Sequence, residues 1–238
     1  MNNDSFAALL AAKGLTVDDR QLEQFNRYFQ LLVEWNERMN LTGITERDAV
    51  YEKHFYDSVA LSFVTDMSAT SSLADIGSGA GFPSLPLKIC FPHLKVTIVD
   101  SLNKRIQFLQ HVAAELGLEG VTCVHGRAED IARQKEHRDR YDLVTARAVA
   151  RLAALNELCL PFARTGGLFA AMKGTDPAEE LEEAGRSLRE LKGKVRRIVP
   201  MQLPLEQSER HVILIDKLAA TPRAYPRKAG TPVKQPLL

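Results

Sequence analysis

At 238 residues the chain is long enough for one sizeable domain with an appended element, and short for two full domains. Hydrophobic residues make up 45% and charged residues 26%, as in globular proteins that bury a core without covalent staples. No stretch approaches the roughly 20 apolar residues that span a bilayer, and no basic region precedes an apolar run at the N-terminus, so neither a membrane protein nor a signal peptide is expected. The three cysteines, Cys90, Cys123 and Cys159, are widely spaced and odd in number, which suits reduced thiols in a cytoplasmic protein. Neither they nor the six histidines fall at paired ligand spacing, so no metal site is expected.

Residues 1–66 hold six Lys/Arg against eleven Asp/Glu, and the apolar positions recur at helical steps. Thr16 with Asp19 reads as a capping-box-like start; Leu22, Phe25, Phe29, Leu32 and Val33 then form one stripe that ends near Met39. A second helix is expected over about 46–63. From Leu73 the period changes. Leu73–Ile76, Val96–Val99, Val121–Val124, Tyr141–Thr145 and Leu168–Met172 read as strands, with helices at about 83–90, 103–117, 128–135 and 150–162 between them. Such alternation implies a parallel sheet covered by helices on both faces. A helix over about 177–191 precedes Val195–Val199 and His211–Asp216, two strands without an intervening helix, which suggests an antiparallel closure. The tail beyond Lys217 is proline-bearing, lacks acidic residues and is expected to be extended. Residues 191–238 hold ten Lys/Arg against three Asp/Glu, a bias that suits a polyanion or, equally, a solvated tail.

The strongest local motif is Asp75-Ile76-Gly77-Ser78-Gly79-Ala80-Gly81-Phe82-Pro83, between a strand and a helix. Glycines there let the backbone turn and a ligand approach closely. Asp100, 19 residues past Gly81, ends the next strand, where an acid can accept ribose hydroxyl protons. A dinucleotide dehydrogenase is the competing interpretation. Its fingerprint is Gly-x-Gly-x-x-Gly, whereas the spacing here is Gly-x-Gly-x-Gly, and Asp75 would repel a pyrophosphate but suits the ammonium of a methionine moiety. A sulfonium methyl donor is therefore favoured.

Arg127-Ala128-Glu129-Asp130 follows the third strand, where an adenine would lie near Ala128 and Glu129 could contact its amine; first-turn acids favoured by the helix dipole are the plain alternative. The fourth strand runs into Thr145-Ala146-Arg147-Ala148, without the proline- and aromatic-bearing loop by which adenine- and cytosine-modifying relatives grip an amino nitrogen. Guanine N7 has an in-plane lone pair and no proton, so its methylation needs alignment and no general acid or base. Arg147 is thus a positioning residue for the donor carboxylate or a guanine edge, or else a surface cation. Lys173, ending the fifth strand, suits phosphate or base contact, though lysines are common at strand ends.

These motifs, with Trp35-Asn36, Asn40-Leu41-Thr42, Lys53-His54-Phe55-Tyr56-Asp57-Ser58, Gly81-Phe82-Pro83-Ser84-Leu85-Pro86-Leu87-Lys88, Asp100 to Arg105, Gly126 to Glu129 and Thr221 to Arg227, run along almost the whole chain. Together they closely resemble the bacterial ribosomal small-subunit methyltransferase G family, also called glucose-inhibited division protein B. The resemblance implies methylation of N7 of one guanine in the decoding region of small-subunit rRNA, with S-adenosylmethionine as donor. It implies donor contacts at Gly77, Phe82, Ala128, Glu129 and Arg147, to which the motif chemistry adds Asp75, Gly79 and Asp100. It also gives Lys53, His54, Lys173, Arg223 and Arg227 as candidate RNA contacts, although capping and surface charge explain the first pair without RNA. Ser84 departs from the glycine of many members, with little expected effect on the donor site. The expected architecture is a Rossmann-like class I methyltransferase domain (67–217), a mostly parallel seven-stranded sheet with an antiparallel C-terminal strand. A helical N-terminal extension (1–66) and a basic tail (218–238) flank it. A monomer acting on the rRNA or on a subunit assembly intermediate is expected.

Overall fold

In the computed structural model, which describes residues 1–174 and 176–238, two helices open the chain: α1 (Asn3–Ala11) and α2 (Asp19–Met39). The start of α2 corrects the capping expectation. Asp18 is the cap; its side chain accepts from the Gln21 amide while Gln21 reaches back to the Asp18 amide. Only Gln21, three residues on, closes this reciprocal pair, so Thr16 lies outside the helix. Asn40 in the left-handed region stops α2.

The second helical stretch is continuous but not uniform. It begins as α3 (Arg47–Val50), widens into a π-helical turn (Tyr51–Tyr56), and continues through α4 (Asp57–Val59) into a 3-10 turn (Ala60–Phe63). Buried Phe6, Phe25, Tyr28, Tyr51 and Phe55 pack edge-on and tilted against one another. That aromatic cluster is continuous with Leu73, Ile98, Leu109 and Leu214, so residues 1–66 share one core with the sheet.

The sheet comprises β1 (Ser72–Ile76), β2 (Lys95–Asp100), β3 (Val121–His125), β4 (Tyr141–Arg147), β5 (Ala163–Lys173), β6 (Gly193–Gln202) and β7 (Glu209–Lys217). Its order is β3-β2-β1-β4-β5-β7-β6, parallel through β1 to β5, with β7 antiparallel to both β5 and β6. Between the strands lie α5 (Ser84–Cys90), α6 (Asn103–Glu115), α7 (Ala128–Ile131), α8 (Leu152–Cys159), α9 (Ala178–Glu183) and α10 (Gly185–Glu190). The second sheet face buries Val144, Phe169, Ile213 and Ile215 against Leu155 and Cys159 of α8. β1 and β4 are neighbours whose chains leave to opposite sides, to β2 and β5, and ligands collect at the strand ends beside such a switch point.

The tail is not merely extended. It carries a short helix, α11 (Thr231–Lys234), started by Gly230 in the left-handed region and by proline at the first turn. Arg138 donates to the carbonyls of Thr221, Pro222 and Tyr225, and Arg133 donates to that of Pro226, so side-chain donors supply the backbone partners that a helix or sheet would otherwise give.

Candidate functional site

The glycine loop leaves β1 with Gly77, Gly79 and Gly81 all at positive φ. Gly81 needs that freedom most: a side chain there would meet the Tyr28 hydroxyl and Leu85. The Tyr28 hydroxyl donates to the Ala80 carbonyl at 2.5 Å, which ties the N-terminal helices to this loop. Asp75 lies beneath, fully buried. One oxygen accepts from the Ser84 amide at 3.1 Å, and the other, Oδ1, takes no hydrogen bond. Burial raises the Asp75 carboxyl to about 7, against the opposing pull of Ser84 and Ser78. Ser84 itself is buried, and its backbone serves Asp75.

Asp100, at the end of β2, has a structural engagement that the motif did not disclose. Oδ2 accepts from Gly79 at 3.1 Å, Oδ1 from Leu102 at 2.9 Å, and Arg105 stands 3.4 Å away. A carboxylate has about four acceptor sites, so these bonds leave capacity for a ribose hydroxyl.

A cavity of about 340 Å³ opens at the ends of β1, β2 and β3. Gly77, Ala128 and Glu129 line it, with Ile76, Val99 and Val149 supplying apolar walls. Glu129 is buried, and its Oε1 accepts from the Gly230 amide at 2.7 Å. Flat apolar walls and a buried carboxylate suit the faces and the amine of an adenine, and the unpartnered Asp75 oxygen suits an ammonium. The space over Gly77 is not open, however: a Cβ there would come within 2.8 Å of a Val149 methyl.

A second cavity, of about 380 Å³, lies beyond the β4 exit. Its lining includes Lys53, His54, Asp57, Arg147, Lys173 and Arg210. Phe82 stacks with His54 at 4.6 Å, and the Arg147 guanidinium sits 5.0 Å from the same ring. Burial, and then the Arg147 charge, lower His54 to about 4, so its ring is neutral at physiological pH. Its Nε2 lies 2.8 Å from the Thr42 hydroxyl, which brings the Asn40-Leu41-Thr42 segment to this rim.

Asp57 and Arg210 were missed from sequence. Asp57 bonds Arg147 at 2.9 Å and faces Arg210 at 3.4 Å, so it holds both cations beside the cavity. Asp57 lies four residues beyond Lys53 in a motif already singled out, and this spacing was its only clue. Arg210 gave none, because its approach depends on the antiparallel register that pairs Lys173 with His211.

The proposed RNA cations separate. Arg223 is exposed. Lys53 pairs with Glu206 at 2.7 Å and remains part-exposed. Lys173 is held by Glu180 at 2.7 Å and by the Ala150 carbonyl at 2.8 Å. Arg227 forks onto fully buried Glu157 at 2.6–3.0 Å, a placement that corrects its description as a free tail cation. Uncovering Glu157 would strand a buried charge. Among the described residues no cluster of His, Cys, Asp or Glu is arranged to hold a metal, and no helix is long and apolar enough to cross a membrane.

The fold is similar to that of a SAM dependent methyltransferase from Aquifex aeolicus, with a TM-score of 0.53 at 18% identity, over 74% of this chain and 96% of that one. The full chain is 57% identical over 238 residues to the Ribosomal RNA small subunit methyltransferase G of Brevibacillus brevis, covering 100% of both. It is 56% identical over 237 residues to the protein of the same name from Exiguobacterium sibiricum, again covering 100% of both. The family model for rRNA small subunit methyltransferase G matches residues 21–213, and with full-length relatives above half identity the chain belongs to that family.

Proposed function

We propose that this protein transfers the methyl group of S-adenosylmethionine to N7 of a guanine in the decoding region of small-subunit rRNA. The observation that carries the proposal is the pair of cavities flanking the β4 exit, one lined by Gly77, Ala128 and Glu129 and the other by His54, Arg147 and Lys173, in a chain of this family. Gly77, Gly79, Phe82, Ala128 and Glu129 hold the donor, with Asp75 aiding its ammonium and Asp100 its ribose. Residues 67–217 form the catalytic domain.

When bound, the donor supplies an electrophilic methyl carbon on a sulfonium. N7 attacks through its lone pair, the carbon–sulfur bond breaks, and no proton leaves the base, so no side chain need act as acid or base. The purine becomes cationic as the methyl arrives. Two features keep nearby positive charge from opposing this: His54 is neutral, and the Arg147 charge is balanced by Asp57. Arg147, fixed by Asp57 and stacked over Phe82, orients the reactants; Lys53 and exposed Arg223 attract phosphates.

The test uses S-adenosylmethionine labelled in the methyl group, with naked small-subunit rRNA and intact small subunits from a methylation-deficient strain. Mass analysis of nuclease fragments should find one methylated guanine, and Gly77→Asp should abolish the signal. Label confined to protein or to a pyrimidine, or no label in either substrate, would refute the proposal.

A further inference from the structure

The charge of the tail points to RNA, yet its last turns face the cavity beside Glu129. Gly230, Val233 and Lys234 line that cavity together with Gly77, Val99 and Ala128. Gly230 lies at φ +82, and this left-handed turn presents its amide to Glu129 Oε1. The other Glu129 oxygen accepts no hydrogen bond among the described residues. Two sets of bonds hold the segment in place. The Arg227 amide and guanidinium clasp Glu157 on α8, and Arg133 and Arg138, just beyond α7, grip the carbonyls of Thr221 to Pro226. Val233 remains an exposed apolar side chain at the cavity mouth, 57% accessible, where burial against a ligand would be favourable.

We propose that residues 227–234 form a wall of the donor cavity. The Gly230 amide fixes one oxygen of Glu129 so that the other meets the exocyclic amine of adenine, and Val233 covers the base. This rests on the assignment of that cavity to the donor. Docking of the segment and binding of the donor are then linked, and each strengthens the other by the same factor.

The test is calorimetric titration of full-length protein with S-adenosylhomocysteine, comparing wild type, Val233→Asp and Gly77→Asp. Val233→Asp sets a carboxylate beside the base and should raise Kd by roughly tenfold or more. Because Val233 is exposed, its melting temperature without ligand should stay near that of wild type. In wild type, hydrogen exchange at residues 230–234 should slow on ligand binding, a readout that does not depend on how the variant folds. Wild-type affinity in Val233→Asp with unchanged exchange, while Gly77→Asp loses binding, would overturn the wall and leave the donor cavity intact. Weakened RNA binding in Val233→Asp with unchanged Kd for S-adenosylhomocysteine would likewise overturn the wall. Wild-type affinity in Gly77→Asp would overturn the cavity assignment itself.

Discussion

Asp75→Asn should change how the stability of this protein responds to pH. The Asp75 carboxyl is fully buried with one oxygen unpartnered, and burial raises it from 3.8 to about 7. In the unfolded chain it ionises near 3.8, so between these values the folded state holds a proton that the unfolded state has released. Stability is therefore greatest below 3.8 and falls as pH rises through about 7. At about 1.36 kcal/mol per pH unit, the full span amounts to about 4 kcal/mol, of which about 3 kcal/mol is lost between pH 5 and pH 8. For a chain of this size that is a fall of roughly 6 °C or more in melting temperature. Asparagine keeps an acceptor for the Ser84 amide and removes the titration. Urea or thermal melts of both proteins across pH 5 to 8, without donor, should diverge, with the variant gaining on wild type as pH rises. Parallel curves, separated by a constant offset, would refute the assignment of this penalty to Asp75.

Gly81→Ala should destabilise by about 3 kcal/mol, from left-handed strain plus overpacking against Leu85 and the Tyr28 hydroxyl. Urea midpoints check this, and Tyr28→Phe in the same chain should make the two losses less than additive because one obstructing atom is gone. Arg147→Ala should lower kcat/KM for rRNA about 100-fold by releasing the aligned reactants, with little change in melting temperature. Asp57→Asn should reproduce part of that loss in the same methylation assay, since it frees Arg147 from its 2.9 Å anchor. Ala148, at φ +56, is a left-handed residue without a polar side chain. Ala148→Gly should leave stability equal or better by about 0.5 kcal/mol in thermal melts, the relieved strain outweighing glycine's extra chain entropy.

The parallel half of the sheet was legible because each strand is a short apolar run bounded by a loop, and the alternation with helices fixes its direction. The glycine loop and Asp100 were legible as a ligand-binding turn, but the Asp100 bonds to Gly79 and Leu102 were not, since they depend on how two loops meet. Thr16 drew attention from Asp18 because both types cap helices, and only the Gln21 side chain decides between them. Arg227 illustrates the main failure. A basic residue in a tail without acids reads as free charge, whereas its partner, Glu157, lies 70 positions earlier inside a helix that reads as apolar. Val149 over Gly77 was invisible for the same reason, its contact being set by the direction in which β4 exits.

The wide turn at Tyr51–Tyr56 governs phase as well as shape. Each residue of an α-helix advances about 100° around the axis, so one supernumerary residue rotates everything downstream by that angle. Asp57 stands immediately after this turn and reaches Arg147 with the phase it confers. Excising a single residue between 51 and 56 would let the coil tighten without unfolding, yet would swing the carboxylate a quarter-turn off its target. Length at this point is thus as constrained as residue identity.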